Sequence, residues 1–444
     1  MVTSSTKSPF KPGVGKFPPA FVGRDDEMDK FRGMLADLKV NPRSLTMMGL
    51  RGVGKSVASK EFMKIAKEER VVAIRREVLA SFAEQAEFER CILQNVDDAL
   101  SELSATHRVA QKAVKTFNYL AASLQASVQM AMGSPVSVTM SFKPLPEIVQ
   151  SHRPFIDRLQ EVMKRVGELA REDDRGVIFI IDEAQMAESK DDPKAGPMAQ
   201  LIQGVTQNQE EDLPVGLVLV GLPALEQIIR RATSHSERIL DDALTLGNLK
   251  RPAAIAALEI PARDSGLPFE EGVATLIAQR CEDYPYFLQL YGDAVWRQAA
   301  ASGKTSIGRS DYAVIGPVVQ AKLDRTFFQP RFNEVPRGNA RLVFASLGGG
   351  KGDAVQVRDV VDRLEAVNSG LSRATIDNTV SKLVEDGHIF RDDRGIVKFT
   401  APGMSQFLTR AHPLAEEVSL QRPQSLGLVL DRRRSSGFTR RSGP

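Results

Sequence analysis

The chain has 444 residues, of which 42% are hydrophobic, 26% charged and 6% aromatic, an ordinary globular composition that predicts two to four domains with largely aliphatic cores. A formal net charge of +3 does not by itself imply a nucleic-acid partner, so any basic surface must be local. Cys91 and Cys281 form no CxxC pattern and the five histidines lack metal-ligand spacing, which argues against a zinc site. No stretch is long enough to span a bilayer, so the reading is a cytoplasmic protein with no membrane partner.

Residues 1–18 are rich in Ser, Pro, Gly and Lys and predict a flexible arm. Phe21-Val22-Gly23-Arg24 follows, then an amphipathic helix over 27–38 with Met28, Phe31, Leu35 and Leu38 on one face. A short apolar turn at this place is positioned to cup an adenine base, although it also fits a plain hydrophobic staple.

Residues 44–48 read as a short apolar strand and 57–66 as a helix. Between them lies Gly49-Leu50-Arg51-Gly52-Val53-Gly54-Lys55-Ser56, which satisfies G-x-x-x-x-G-K-[ST] at each fixed position. Gly49, Gly52 and Gly54 permit backbone angles that turn successive N–H groups into one concavity, and the helix N-terminus adds to its attraction for anions. Lys55 is placed to reach the β- and γ-phosphates and Ser56 to ligate Mg²⁺. We assign nucleotide contact to Val22, Gly23, Arg24, Gly49, Arg51, Gly52, Val53, Gly54, Lys55, Ser56 and Val57.

A second strand is expected over 70–74, helices over 79–103 and 107–132, an alternating segment over 136–142 that suits a hairpin arm or edge strand, and a helix over 146–169. Residues 101–144 read as an insertion, either an interaction surface or structural padding. Residues 176–181 are continuously apolar, as in a strand buried on both faces of a parallel sheet, and end in Asp182-Glu183-Ala184-Gln185. Asp182 is expected to hold Mg²⁺ through water and Glu183 to polarise the attacking water. The next buried strand, 213–220, closes at Gly221-Leu222-Pro223. A helix over 224–232, Ser236-Glu237-Arg238, and a last strand over 244–249 complete an α/β core over 19–250. This alternation predicts a P-loop NTPase αβα sandwich with a parallel sheet.

Residues 251–328 read as a helical lid, with helices over 252–261, 269–281, 287–301 and 310–328. Pro330, Pro336 and Gly338 mark 329–338 as a linker. Residues 339–411 read as a winged helix: helices over 340–347 and 355–367, a third capped by Ser372, then strands 388–391 and 396–399 around an Asp-Arg-Gly turn. Residues 412–444, with Arg432, Arg433, Arg434, Arg440 and Arg441, read as a disordered basic tail.

From about Phe21 to Phe407 this set of motifs resembles AAA+ ATPases related to the replication initiators of archaea and eukaryotes. The resemblance implies binding of ATP with Mg²⁺ and its hydrolysis to ADP and phosphate. By it, Phe21-Val22-Gly23-Arg24 is the adenine-side motif. Arg238 resembles the arginine finger that reaches a neighbouring subunit's γ-phosphate, which implies a homo-oligomer, and a surface salt bridge fits it equally well. Asp283-Tyr284-Pro285-Tyr286 resembles the G-x-P lid motif of the signal-transduction (STAND) branch, in which Pro285 would lie against the nucleotide and Asp283 stands in the glycine's place. Two departures imply slow turnover. The fourth core strand ends in Gly221-Leu222-Pro223, where the family has a polar side chain, and Tyr286 falls where the lid has an arginine. Two functions follow. One is a DNA-associated regulator contacting duplex DNA through Arg373, Asn378, Lys382, Arg391, Arg394, Lys398 and the basic tail. The other is a STAND-like switch whose winged helix contacts a protein partner.

Overall fold

Apolar runs too short for helices fix the first layer. In this computed structural model, which describes residues 7–13, 15–79, 85–104, 155–189, 192–349, 354–391 and 395–421, they form β1 (Leu45–Gly49), β2 (Val72–Glu77), β3 (Val177–Asp182), β4 (Val215–Gly221) and β5 (Leu244–Leu246). Every residue of β1, β3 and β4 is buried, as expected of strands covered on both faces. The sheet order is β2-β3-β4-β1-β5 and all four pairings are parallel, with Val72 opposite Val177, Val177 opposite Val215, Leu45 opposite Val218 and Met47 opposite Leu244. Parallel pairing brings the C-terminal ends of all the strands to one edge. The loop after β1 and the acid pair after β3 therefore emerge together, with β4 between them.

One face, carrying Val177, Phe179, Ile181, Val215, Leu217 and Leu219, packs against α3 (Gln85–Ser104), α4 (Phe155–Glu172), α5 (Pro197–Glu210) and α6 (Leu225–Ala232). Helices α1 (Asp25–Asp37) and α2 (Lys55–Glu68) are joined by a stack of Phe31 on Phe62, ring centroids 4.0 Å apart. They cover the other face, where Met34 and Leu38 press on Gly216. A four-residue helix α7 (Glu237–Leu240) leads into β5. Four more helices follow, α8 (Arg251–Asp264), α9 (Val273–Arg280), α10 (Pro285–Ala301) and α11 (Arg309–Leu323), all in the same compact unit (1–321) but for the last two residues of α11.

The second unit (322–444) begins as the helical path continues through a π turn, Asp324–Phe328, into α12 (Gln329–Glu334). Then come α13 (Asn339–Ser346), β6 (Ala354–Gln356), α14 (Val357–Ala366), α15 (Arg373–Glu385), β7 (Ile389–Arg391), β8 (Ile396–Phe399), α16 (Met404–Ala411) and α17 (Leu414–Gln421). The three strands form an antiparallel sheet in the order β6-β8-β7. Ser372 Oγ accepts the Thr375 N–H at 3.2 Å and caps α15. Phe344 packs edge-on to Phe399, and Phe328 stacks on Phe407.

Four expectations are corrected. The linker at 329–338 is largely helical. Pro330 sits in the first turn of α12, and Phe332 and Val335 are buried. The helix expected over 355–367 starts two residues later, because Ala354–Gln356 pairs with β8 as a strand. The tail expected from 412 continues as α17. There Glu417 is buried and accepts from His412 Nδ1 at 2.9 Å, while the His412 ring stacks on Phe332.

The flexible arm is the fourth correction, since its described part packs against the first unit. Phe10 is buried against Gly292 of α10, where any side chain would displace its ring. The Lys11 N–H donates to Gln289 Oε1, the Lys60 ammonium to Gly15 O, and Lys64 sits over the Phe17 ring. Composition suggested an arm without a core, whereas one aromatic in a glycine-floored socket holds it. The expectations at 107–132 and 136–142, almost all of the 101–144 insertion, Arg394 and the arginines beyond 421 lie outside the described residues.

Replacing Phe10 with Ala should empty that socket. Trypsin should then cut at Lys7 and Lys16 at least about tenfold faster while cleavage of the core is unchanged, because the loss falls on a locally opening segment.

Candidate nucleotide site

The loop after β1 is closed around its own lysine. Lys55, 5% exposed, donates to Gly49 O and Leu50 O, each at 2.9 Å. Burial lowers its pKa, and the nearby carboxylates of Glu183 and Asp182 oppose that shift. Gly54, at φ +103, caps α2, so Lys55, Ser56 and Val57 occupy the first turn; the Val57 N–H donates to Gly54 O at 3.0 Å, and the N–H groups of Lys55 and Ser56 stand ahead of it at the helix end, where a helix offers no acceptor of its own. Val53 is buried, while Arg51 and Gly52 are exposed at the tip.

Gly52 combines a φ of +82 with a crowded site: an added Cβ would lie 2.1 Å from Tyr284 Oη. That hydroxyl donates to Arg51 O. The helical bundle therefore touches the loop through Tyr284, which is fully buried, and through Tyr286, whose Cβ lies 3.3 Å from the same added atom. Asp283 precedes them at φ +58 and pairs with Arg251 at 2.7 Å. Aspartate tolerates the left-handed region better than most residues, which accounts for Asp at a position where the resembling motif has Gly. Pro285 is the first residue of α10, in the same loop-facing turn.

Val22-Gly23-Arg24 lies between the loop, β5 and α8. Buried Arg24 donates to Val53 O at 2.9 Å and to Gly247 O at 2.7 Å, and it pairs with Glu27 at 3.2 Å. Desolvation lowers its pKa, and Glu27 pulls it back up. Gly23, at φ +69, leaves no room for a side chain: its Cβ would come 2.3 Å from Ala253 Cβ.

The acid pair stands at the end of β3. Asp182 is 0% exposed, and its Oδ2 is paired with the Arg75 guanidinium. Arg75 Nε also donates to Ser59 Oγ at 2.8 Å, and Ser59 Oγ donates to Ser56 O at 3.1 Å. Asp182 Oδ1 accepts the Glu183 N–H at 3.0 Å. Glu183 itself is left-handed, at φ +55, an unfavourable conformation for a non-glycine residue of the kind found at functional turns. Its side chain accepts from Gln185 Nε2 at 2.5 Å.

The donor chemistry fits Mg²⁺. Ser56 and Asp182 offer hard oxygens, and such an ion usually takes few protein ligands and completes its shell with phosphates and water. Among the described residues no group of three or more His, Cys, Asp or Glu could hold a metal by itself.

The structure thus brings together the loop, Arg24, the acid pair and the start of α10. Arg238 lies apart from them. It sits on α7, 44% exposed and paired with Glu210, and its neighbour Ile239 accepts from Thr46 Oγ1 near the start of β1, while the loop leaves the other end of that strand. Arg75 and Ser59 escaped the sequence reading. Their one sequence signal is an arginine pair ending the apolar run of β2, and only the parallel register, Arg75 opposite Ile180 and Glu77 opposite Asp182, shows which of the two shares a face with Asp182.

Arg75→Ala would leave a fully buried carboxylate without its cation. Thermal or denaturant unfolding of the nucleotide-free protein should show a loss of about 3 kcal/mol, partly recovered when ATP and Mg²⁺ are added.

Residues 20–219 match the AAA ATPase domain. No curated protein matches the chain. Among solved structures, the ORC2 protein of Aeropyrum pernix in its ADPNP–ADP complexes aligns over 91% of this chain and 95% of its own, with 16% identity and a TM-score of 0.51, a likeness of fold. The ORC1 protein of Aeropyrum pernix in complex with DNA aligns over 90% of this chain and 95% of its own, at 16% identity and a TM-score of 0.40. The RuvB Holliday junction branch migration motor of Thermotoga maritima aligns over 85% and 92%, at 13% identity and 0.39. With its phosphate loop, acid pair and five-stranded parallel sheet, this chain has a P-loop NTPase fold, and the stretch 20–219 that contains them is similar to the AAA ATPase domain.

Proposed function

We propose that this protein binds ATP with Mg²⁺ and hydrolyses it slowly, using the cycle as a conformational switch. The observation that carries the reading is the convergence of Lys55, Asp182 and Glu183 at one sheet edge, with both carboxylates close enough to Lys55 to raise its pKa against burial. In this reading Lys55 leaves the Gly49 and Leu50 carbonyls for the β- and γ-phosphates, and the first-turn N–H groups of α2 receive phosphate oxygens. Ser56 and Asp182 hold Mg²⁺, which supplies positive charge to the phosphates. Glu183 takes a proton from the attacking water. Val22, Gly23 and Arg24 flank the base, and Pro285 opens the helix that closes over the loop. Arg238, set apart from its own loop, would complete the site of a neighbouring copy in a homo-oligomer.

Slow turnover is supported by the end of β4, where Gly221-Leu222-Pro223 offers no polar side chain of its own, and by Tyr286 in the lid. A cytoplasmic setting is supported by two buried free cysteines, Cys91 and Cys281. Among the described residues no helix is long and apolar enough to cross a membrane.

Titration with ATP·Mg²⁺ tests the reading. Lys55→Ala should bind ATP at least about a hundredfold more weakly, since it removes a charge-assisted phosphate contact. Glu183→Gln should bind as the parent does and hydrolyse at least about a hundredfold more slowly. Unchanged affinity in the first variant, or unchanged turnover in the second, overturns it.

For the second unit we infer a winged helix that contacts duplex DNA. The order α13-β6-α14-α15-β7-β8 supports it, as does an α15 whose exposed residues include Arg373, Asn378 and Lys382, with Arg391 exposed on β7 and Lys398 half-buried on β8. The basic residues beyond 421 would add sequence-independent affinity. A second reading, a STAND-like switch with a protein partner, is favoured by the contact of the Asp283-Tyr284-Pro285 turn with the loop. Salt separates them. With about four phosphate contacts, affinity for duplex DNA should fall on the order of a hundredfold between about 50 and 200 mM salt. Absent or salt-insensitive binding favours the protein partner.

A further inference from the structure

Gln185 lies on the short 3₁₀ helix Ala184–Ala187, two residues beyond Glu183 and its left-handed backbone. Its side-chain amide spans two elements. Nε2 donates to Glu183 Oε2 at 2.5 Å, and Oε1 accepts the Leu222 N–H, just past β4, at 3.1 Å. The partners fix the orientation of the amide. Reversing it would set its oxygen against a carboxylate and its NH₂ against an N–H. Room for this bridge exists because residue 221 is glycine: a Cβ there would lie 2.5 Å from Gln185 Oε1. Its next neighbour would be Leu225 Cδ2, at 2.9 Å.

We propose that Gln185 is the positioning residue of Glu183, tying its carboxylate to the end of β4, and that Gly221 is there to let it do so. A carboxylate on a two-carbon stem, leaving a backbone turn that is itself unfavourable, has several rotamers available. The bridge selects one of them. β4 ends without a polar side chain, and the amide of Gln185 provides the polar group at that place from the neighbouring strand's loop. The same bond lets movement at the end of β4 reach Glu183 directly, so the aim of the base depends on the packing of β4 as well as on its own turn.

The proposal rests on the ATPase reading above, and the test separates the two. Gln185→Met keeps the volume and removes both hydrogen bonds, while Gly221→Ala keeps the glutamine and takes its space. Each should lower kcat by about ten- to hundredfold, as expected when a reacting group loses its aim. KM and the ATP affinity measured by titration should change less than about twofold, because loss of a transition-state contact leaves ground-state binding intact. The Leu222 amide should exchange faster in both variants without nucleotide. Combining the two should cost no more than the larger single loss, since both remove one bridge. Full activity in Gln185→Met, or losses that multiply in the double variant, would overturn the proposal while leaving the ATPase reading in place. A parent without ATPase activity, or a Glu183→Gln variant as active as the parent, would overturn both.

Discussion

The cation of Lys55 is buried at the end of a strand, and the arrangement of the site follows from how its charge is answered. An ammonium removed from water is costly unless carbonyls and carboxylates replace the lost hydration. Two loop carbonyls do this at 2.9 Å, and the charges of Glu183 and Asp182 reinforce them. Those carboxylates come from β3, which is separated from β1 by β4, so all three strands must be parallel and in register for the charges to meet. The sheet order is thereby tied to the electrostatics of its edge.

Asp182 carries the mirror-image problem. It is fully buried and anionic, and Arg75 answers it from the other side while also engaging Ser59, one turn beyond Ser56 on α2. Cation, anion and cation thus run across the edge from Lys55 to Asp182 to Arg75. Removing a member leaves a charge that the low-dielectric interior does not accommodate. A nucleotide with its metal would bring new charges of both signs into this row. The chain's own pairings then have to rearrange, which gives a site of this kind its leverage over neighbouring structure.

Contacts that carry such leverage are present within the first unit. Tyr284 reaches Arg51 O and occupies the space above Gly52, and Arg24 fastens the loop at Val53 O to Gly247 beyond β5. About two turns further along α10, Gly292 receives Phe10, while Gly15 and Phe17 rest on Lys60 and Lys64 of α2. The helix that follows the loop and the helix that faces it are therefore both held by the same N-terminal segment.

Much of this was legible in the sequence, for a definite reason. The phosphate loop, the acid pair and the buried strands are local patterns. Glycine spacing, a run of apolar residues and a carboxylate at a strand end depend on neighbours a few residues away, and Gly49 to Ser56 and Asp182-Glu183 could be read directly. The helices α13, α14 and α15 of the second unit and its β7–β8 hairpin were readable on the same basis. What tertiary structure alone decided is long-range pairing. Arg75 on Asp182, Tyr284 on Arg51, Phe10 on Gly292 and Gln185 between Glu183 and Leu222 join residues whose proximity no local period encodes. The three-residue strand β6 and the helix α12 escaped for the same reason. Ala354–Gln356 is a strand because β8 lies beside it, and Gln329–Glu334 is a helix because Phe332 has a core to enter. Sequence determined the groups that carry the chemistry. The register of the parallel sheet and the packing around it determined which charges face one another, because side-chain partners across strands are set by pairing and not by distance along the chain.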